Sequence, residues 1–273
     1  MASNPVLSNF EKSGRPGIGG SVPPAPSAGH LNEMYAQPSY VPPTPPTSSR
    51  YLTIDDVVTR TGLLLGTLLV TAALTWFMVP ESALGAPVAI GVIGGLGIAL
   101  FIMFTGRANM ATTMTYSALE GIALGGISEW FNEQWPGIVI QAVTGTIMVA
   151  GGVLVVYKTG AVRVTPKFTK IVFASTLGVL GLVIANGVAS LFHSGGLGLR
   201  DSSSPGIAIA FSLLCIVIAA SNLIVDFEMI SQSVRRGTDE KYGWYLSFGI
   251  MVTLVWLYLE ILRLLSYLRG GRN

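Results

Sequence analysis

Three carboxylates lie inside runs of apolar residues: Glu120 in TYSALEGIALGG, Asp226 in AASNLIVDFEMI and Glu260 in VTLVWLYLEILRLL. A charge at mid-bilayer costs at least about 2.5–3.5 kcal/mol on insertion scales, so such a side chain is a candidate for handling an ion or a proton, and it needs a partner. Glu120 has no basic residue within a turn. It either carries a proton at neutral pH or meets a cation, water or an arginine from another helix. Asp226 has Asn222 one turn before it, a polar stripe on an apolar helix, while Glu228 points elsewhere toward the interface. Glu260 and Arg263 are three apart and can pair along their own helix, with Arg263 snorkelling to the headgroups.

The elements that carry these groups are membrane spans. The chain is 51% hydrophobic and 11% charged, with a mean hydropathy of +0.61, and its charges cluster between long apolar runs. A soluble domain carries about a quarter charged residues. Seven runs have the roughly 20 residues a crossing helix needs, near 57–79, 84–104, 110–131, 137–157, 170–193, 206–230 and 244–268. Turn signals separate them: Pro80, Gly106, Trp135-Pro136-Gly137, Thr165-Pro166, Ser194-Gly195-Gly196 and Gly237. Thr53 is placed as the N-cap of the first helix, with Asp55 and Asp56 in its first turn. Asp56 and Arg60, four apart, are expected to pair. Gly91, Gly94 and Gly95, and Gly121, Gly125 and Gly126, allow close helix packing. Trp76, Trp130, Trp135 and Trp244 suit interfacial anchoring.

The expected fold is therefore an all-α integral membrane protein, residues 51–273, preceded by a disordered cytoplasmic tail, residues 1–50. The tail, with SVPPAPSAGH and YAQPSYVPPTPPTSS, lacks the apolar surface to offset ordering. With the tail cytoplasmic, ten basic residues face that side: Arg50, Arg60, Arg107, Lys158, Arg163, Lys167, Lys170, Arg235, Arg236 and Lys241. Three face the other: Arg200, Arg269 and Arg272. That asymmetry puts the N-terminus inside, and an odd number of spans puts the C-terminus outside.

Several classes are disfavoured. Nucleic-acid binding lacks a basic patch with interleaved aromatics. An enzyme is not expected: the two histidines, His30 and His193, lie in the tail and at a span end, and no G-x-S-x-G nucleophile motif occurs. No cofactor is expected, and no span interior offers a lysine for a retinal Schiff base. Cys215 reads as a small buried apolar residue. No inverted repeat with broken helices points to a secondary transporter.

An aspartate closing the sixth run, a short charged loop and Leu257-Tyr258-Leu259-Glu260 with Leu262-Arg263-Leu264-Leu265 resemble the Bax inhibitor-1-like family. Glu120-Gly121 and Leu124-Gly125 resemble it as well, and the tail with KTGAVRVTPKF resembles an actinobacterial branch. The likeness covers about residues 52–269. It implies seven transmembrane helices with the last helix central, in a bacterial plasma membrane. It also implies a pH-sensitive calcium leak gated by carboxylates of the sixth and seventh helices, which here are Asp226 and Glu260. Two carboxyls sharing a proton hold a closed contact, and loss of the proton makes them repel. They also suit Ca2+ as hard-oxygen ligands, with calcium as the transported ion. The last acid is Glu rather than Asp. A turn at Gly237 would offset the two carboxyls by twelve residues of helix, about 18 Å, too far to touch unless residues 231–243 bend. The alternative function is a non-conducting membrane protein that binds and regulates another, such as a protease.

Overall fold

The computed structural model describes residues 27–29, 32, 50–192 and 205–270. Most of the tail, together with His30, His193, Arg200, Arg272 and the Ser194-Gly195-Gly196 turn, lies outside the described residues. Ser27 precedes helical backbone at Ala28, Gly29 and Asn32. Contacts divide the chain into two units, Met1–Ser48 and Ser49–Asn273.

The second unit holds seven long helices: α1 (Ile54–Met78), α2 (Gly85–Thr105), α3 (Met110–Gln134), α4 (Ile138–Lys158), α5 (Pro166–Ser190), α6 (Pro205–Arg235) and α7 (Gly243–Gly270). Six are long and apolar enough to cross a membrane, α3 being the one that is not. α3 is helical where a seventh span is expected, but it is rich in Thr, Ser and Gly. Its inward face explains the composition: Thr113, Tyr116, Ser117, Gly121, Gly125 and Ser128 are buried among neighbours rather than turned to lipid. A helix shielded this way needs fewer apolar residues.

Local chemistry sets the helix ends. Thr53 caps α1 in a reciprocal capping box with Asp56, as expected. Asn109 and Thr112 form a second box at α3, and Thr165 caps α5 with Pro166 at the first position. Gly106 (φ 64°) ends α2 in the left-handed region, where a side chain would be strained.

The last helix is central. α7 packs against α1, α3, α4 and α6, while α2 packs on α3 and α5 on α6. Twelve α7 residues are buried, Glu260 among them. The outer helices turn Leu69, Phe77, Ile93, Phe104, Ile140, Met148 and Phe173 outward, an apolar girdle suited to acyl chains. Inside, glycines set the spacing. A Cβ on Gly121 would collide with Thr71 Oγ1 and the Leu68 carbonyl of α1, and one on Gly125 would lie 2.5 Å from the Ala72 carbonyl. A Cβ on Gly91 of α2 would lie 2.6 Å from the Leu119 carbonyl of α3. The two glycine stripes thus serve two interfaces, α1–α3 and α2–α3.

The helices alternate in direction, so the start of α1 shares an end of the bundle with the α2–α3, α4–α5 and α6–α7 links. There Leu52 N–H donates to the Thr238 carbonyl (2.9 Å) and Glu240 N–H to the Arg50 carbonyl (3.0 Å). The expected Asp56–Arg60 pair does not form. Asp56 accepts from Arg50 at 3.0 Å. Arg60 reaches Glu240, donating to its carbonyl and, at 2.9 Å, to its carboxylate. Its guanidinium also lies 5.1 Å from the centre of the Trp244 ring. Arg60 is turned inward toward Glu240 while Asp56 turns back to Thr53 and Arg50, and Trp244 packs on a buried cation rather than serving only as an interfacial anchor.

Candidate functional site

Asp226 lies nine residues, about 13 Å, before the end of α6. Its carboxylate accepts a hydrogen bond from Thr253 Oγ1 of α7 at 2.7 Å. The same hydroxyl contacts the Gly249 carbonyl at 3.1 Å, and the absent side chain of Gly249 leaves room beside the other Asp226 oxygen. Asp226 forms no ion pair among the described residues. It is a carboxylate at a helix–helix contact, held by a hydroxyl and not by a cation.

Asn222 does not extend that contact. Its amide donates to Thr176 Oγ1 of α5 at 2.7 Å and to the Ile218 carbonyl at 2.9 Å. The stripe expected from the four-residue spacing splits, with Asn222 serving α5 and Asp226 serving α7. Glu228 is satisfied near the same end by Tyr157 (2.9 Å), Gln232 (2.9 Å) and Arg235 (3.0 Å).

Glu260 is 2% exposed. Its carboxylate accepts from Arg263 at 3.1 Å, the i, i+3 pair read from sequence. Thr253, which holds Asp226, precedes it by seven residues, about 10 Å of helix. Asp226 and Glu260 are therefore not brought together as a pair or as ligands of one metal ion. The chain turns at Gly237 (φ 63°), as expected, to end α6, but α7 begins only at Gly243, after the further Glu240–Tyr242 turn, which shortens the offset from the expected 18 Å without closing it. Among the described residues, no group of three or more His, Cys, Asp or Glu side chains is arranged to hold a metal.

Glu120 lies ten residues into α3, about 15 Å from the end that also starts α7, and so at a depth close to that of Thr253. The Tyr116 hydroxyl, one turn earlier, interacts with its carboxyl. The Tyr116 ring meets Phe248 of α7 edge-on, with centroids 4.9 Å apart. On the other side, Gly95 of α2 makes space, since a Cβ there would lie 3.0 Å from Glu120 Oε2. Further along α3, Ser128 Oγ and Tyr258 Oη are 2.7 Å apart.

Oxygen groups thus occupy two levels of the bundle: Glu120 and Asp226–Thr253 at one, Glu260 with Arg263 about 10 Å beyond. Sequence reading missed Thr253 as the Asp226 partner and the part-buried Arg60–Glu240 ion pair. Thr253 left one faint signal, a hydroxyl two helical turns before Glu260 on an apolar helix. Such an arrangement can bind a cation through carboxyl and hydroxyl oxygens, or exchange a proton without a built-in counter-charge at Asp226.

No curated protein matches the chain. The family model described as Bax inhibitor 1 like matches residues 4–270, which includes every helix from α1 to α7, and the chain accordingly belongs to the Bax inhibitor 1 like family.

Proposed function

We propose that this protein is a membrane cation leak that carries calcium, works without a cofactor or catalysed reaction, and is set by the protonation of Asp226. One observation carries the reading: an acid on α6 meets a hydroxyl on the central helix α7, with no cation among the described residues paired to the acid. With its proton on, Asp226 is neutral, and the contact closes α6 against α7 in an apolar surround. With its proton off, the charge favours water and a cation at that level, since an uncompensated carboxylate in low dielectric is costly. Glu120 lies at a similar depth, and both supply the hard oxygens that Ca2+ prefers. Glu260, paired with Arg263, positions α7. Family membership supports the reading, and the excess of basic residues on the N-terminal side supports a cytoplasmic N-terminus in a bacterial plasma membrane.

The test is calcium flux into liposomes holding only the purified protein, between about pH 6 and 8. Wild type is expected to conduct more as pH rises. Asp226→Asn fixes the neutral state and should give low flux at every pH. Thr253→Val should change the pH dependence, and Glu260→Gln should preserve it. Folded protein with no flux in any condition would overturn the leak and favour the alternative, a regulator of a membrane partner such as a protease. A pH response lost equally in Glu260→Gln would return Glu260 to the gate.

A further inference from the structure

A cleft of about 480 Å³ opens between the first turns of α5 and the last turns of α6. Thr165, Thr169 and Lys170 line its rim, and Phe173, Val225 and Met229 its floor. Phe173 is 63% exposed and Met229 41%, so the floor opens sideways. It continues into the outward apolar face of α5, where Leu177, Leu180 and Ile184 are also exposed. One end of the cleft is thus at the basic end of the bundle and the other faces acyl chains.

The charge around the rim has one sign. The stretch KTGAVRVTPKFTK carries Lys158, Arg163, Lys167 and Lys170 and no acid. All four cations are exposed, and none forms an ion pair among the described residues. The one carboxylate on the cleft wall, Glu228, already accepts from Tyr157, Gln232 and Arg235. It is compensated by Arg235 and leaves the lysines free for another anion.

We propose that this α5–α6 cleft binds one anionic phospholipid, its phosphate at Lys170 and the Thr165 hydroxyl with Lys167 adding charge beside the rim, and an acyl chain along Phe173, Val225 and Met229. Lys170 and Phe173 are three apart, so head and chain contacts share one helix face about 4.5 Å apart in depth. A free phosphate would leave the apolar floor uncovered. A soluble acidic peptide would have to enter from the side occupied by lipid. Basic pockets between spans at one membrane face are a recurring form of anionic lipid site.

The experiment titrates the full-length purified protein in detergent with phosphatidylglycerol or phosphatidylcholine and counts retained lipids by native mass spectrometry. One phosphatidylglycerol should be retained in preference to phosphatidylcholine. Lys167→Gln with Lys170→Gln should reduce that retention by about five-fold per lysine. Met229→Trp, which fills the cleft and leaves every charge in place, should reduce it as well, whereas Arg107→Gln at the same end should not. Thr169→Phe repeats the filling test from the α5 side should Met229→Trp fail to fold, as judged by thermal unfolding. Retention insensitive to both filling variants but sensitive to the lysines would reduce the site to diffuse surface charge and overturn the proposal. So would equal retention of the two lipids, or displacement of phosphatidylglycerol by inorganic phosphate.

Discussion

Asp226, Glu260 and Arg60 show how far a membrane charge can be read from its neighbours in the chain. The Glu260–Arg263 pair was legible because both partners sit on one helix, where three-residue spacing brings side chains together. The same logic failed for Asp56 and Arg60. Their spacing allows a pair, yet Arg60 instead binds Glu240, 180 residues away, because the fold presents it with a carbonyl and a half-buried carboxylate together. Local rules cannot see a partner supplied by the α6–α7 connection. The two ends of the rejected pair should therefore respond differently to substitution. Arg60→Gln loses a charge-assisted bond to a half-buried carboxylate and a contact with the Trp244 ring. It is expected to destabilise the protein by about 2 kcal/mol, after allowance for the partial exposure of Glu240. Asp56→Asn keeps an oxygen that can cap the helix and loses only a pair with the exposed Arg50, so about 0.5 kcal/mol is expected. Thermal unfolding in one detergent, read side by side, checks the order; equal losses would mean that the Arg60–Glu240 contact adds little.

At the scale of helices, the glycine pattern was visible in the sequence but its meaning was only half so. Spacing identified Gly91 to Gly95 and Gly121 to Gly126 as packing stripes. It did not say that Gly121 and Gly125 face α1 while Gly126 faces Val88 of α2, or that Gly95 clears the space taken by the Glu120 carboxyl. The third span was equally half-legible: the length was right, but the shielding that lets α3 be the least apolar helix is a property of its neighbours. The register of α6 on α7 depended on where the connection turns, and two or three residues of error there move the carboxyl offset by several ångströms. The glycines offer the sharpest check. Gly121→Ala places a methyl group against Thr71 and the Leu68 carbonyl, which are backbone and near-backbone atoms with little freedom to retreat. A loss of about 1–3 kcal/mol is expected. Gly97→Ala, on α2 with nothing within 4 Å of the added carbon, should be neutral or slightly stabilising, since alanine favours the helix. A Gly121→Ala protein as stable as wild type would mean that α1 and α3 are less closely apposed than their backbones here.

For the whole molecule, the question is whether α3 crosses, because it alone falls short in hydropathy while all seven helices are long enough. The end-to-end contacts argue that it does. Glu129, near the end of α3, lines the same cleft as Ser82 in the α1–α2 link, so that link and the end of α3 share one face. Arg269, near the end of α7, donates to the Pro136 carbonyl at 2.9 Å and to Gln141 at 2.8 Å, which puts the α3–α4 link and the end of α7 together. The opposite face holds the pairing of residues 50–52 with 238–240 and the Tyr157–Glu228 bond. With α3 crossing, single cysteines placed at Ser82 and Gln134 in a Cys215→Ser background should label from one side of the membrane, and one at Ala161 from the other. If α3 did not cross, Ser82 and Ala161 would share a side and Gln134 would lie opposite, so three positions separate the two topologies. The ten basic residues at the Ala161 end lead us to propose that side as the cytoplasmic one. An impermeant thiol reagent applied to intact cells should therefore label Ser82→Cys and Gln134→Cys and reach Ala161→Cys only after the membrane is opened. The reverse pattern would keep seven crossings but invert the protein, and would place the Asp226 contact nearer the outer pH than the inner one.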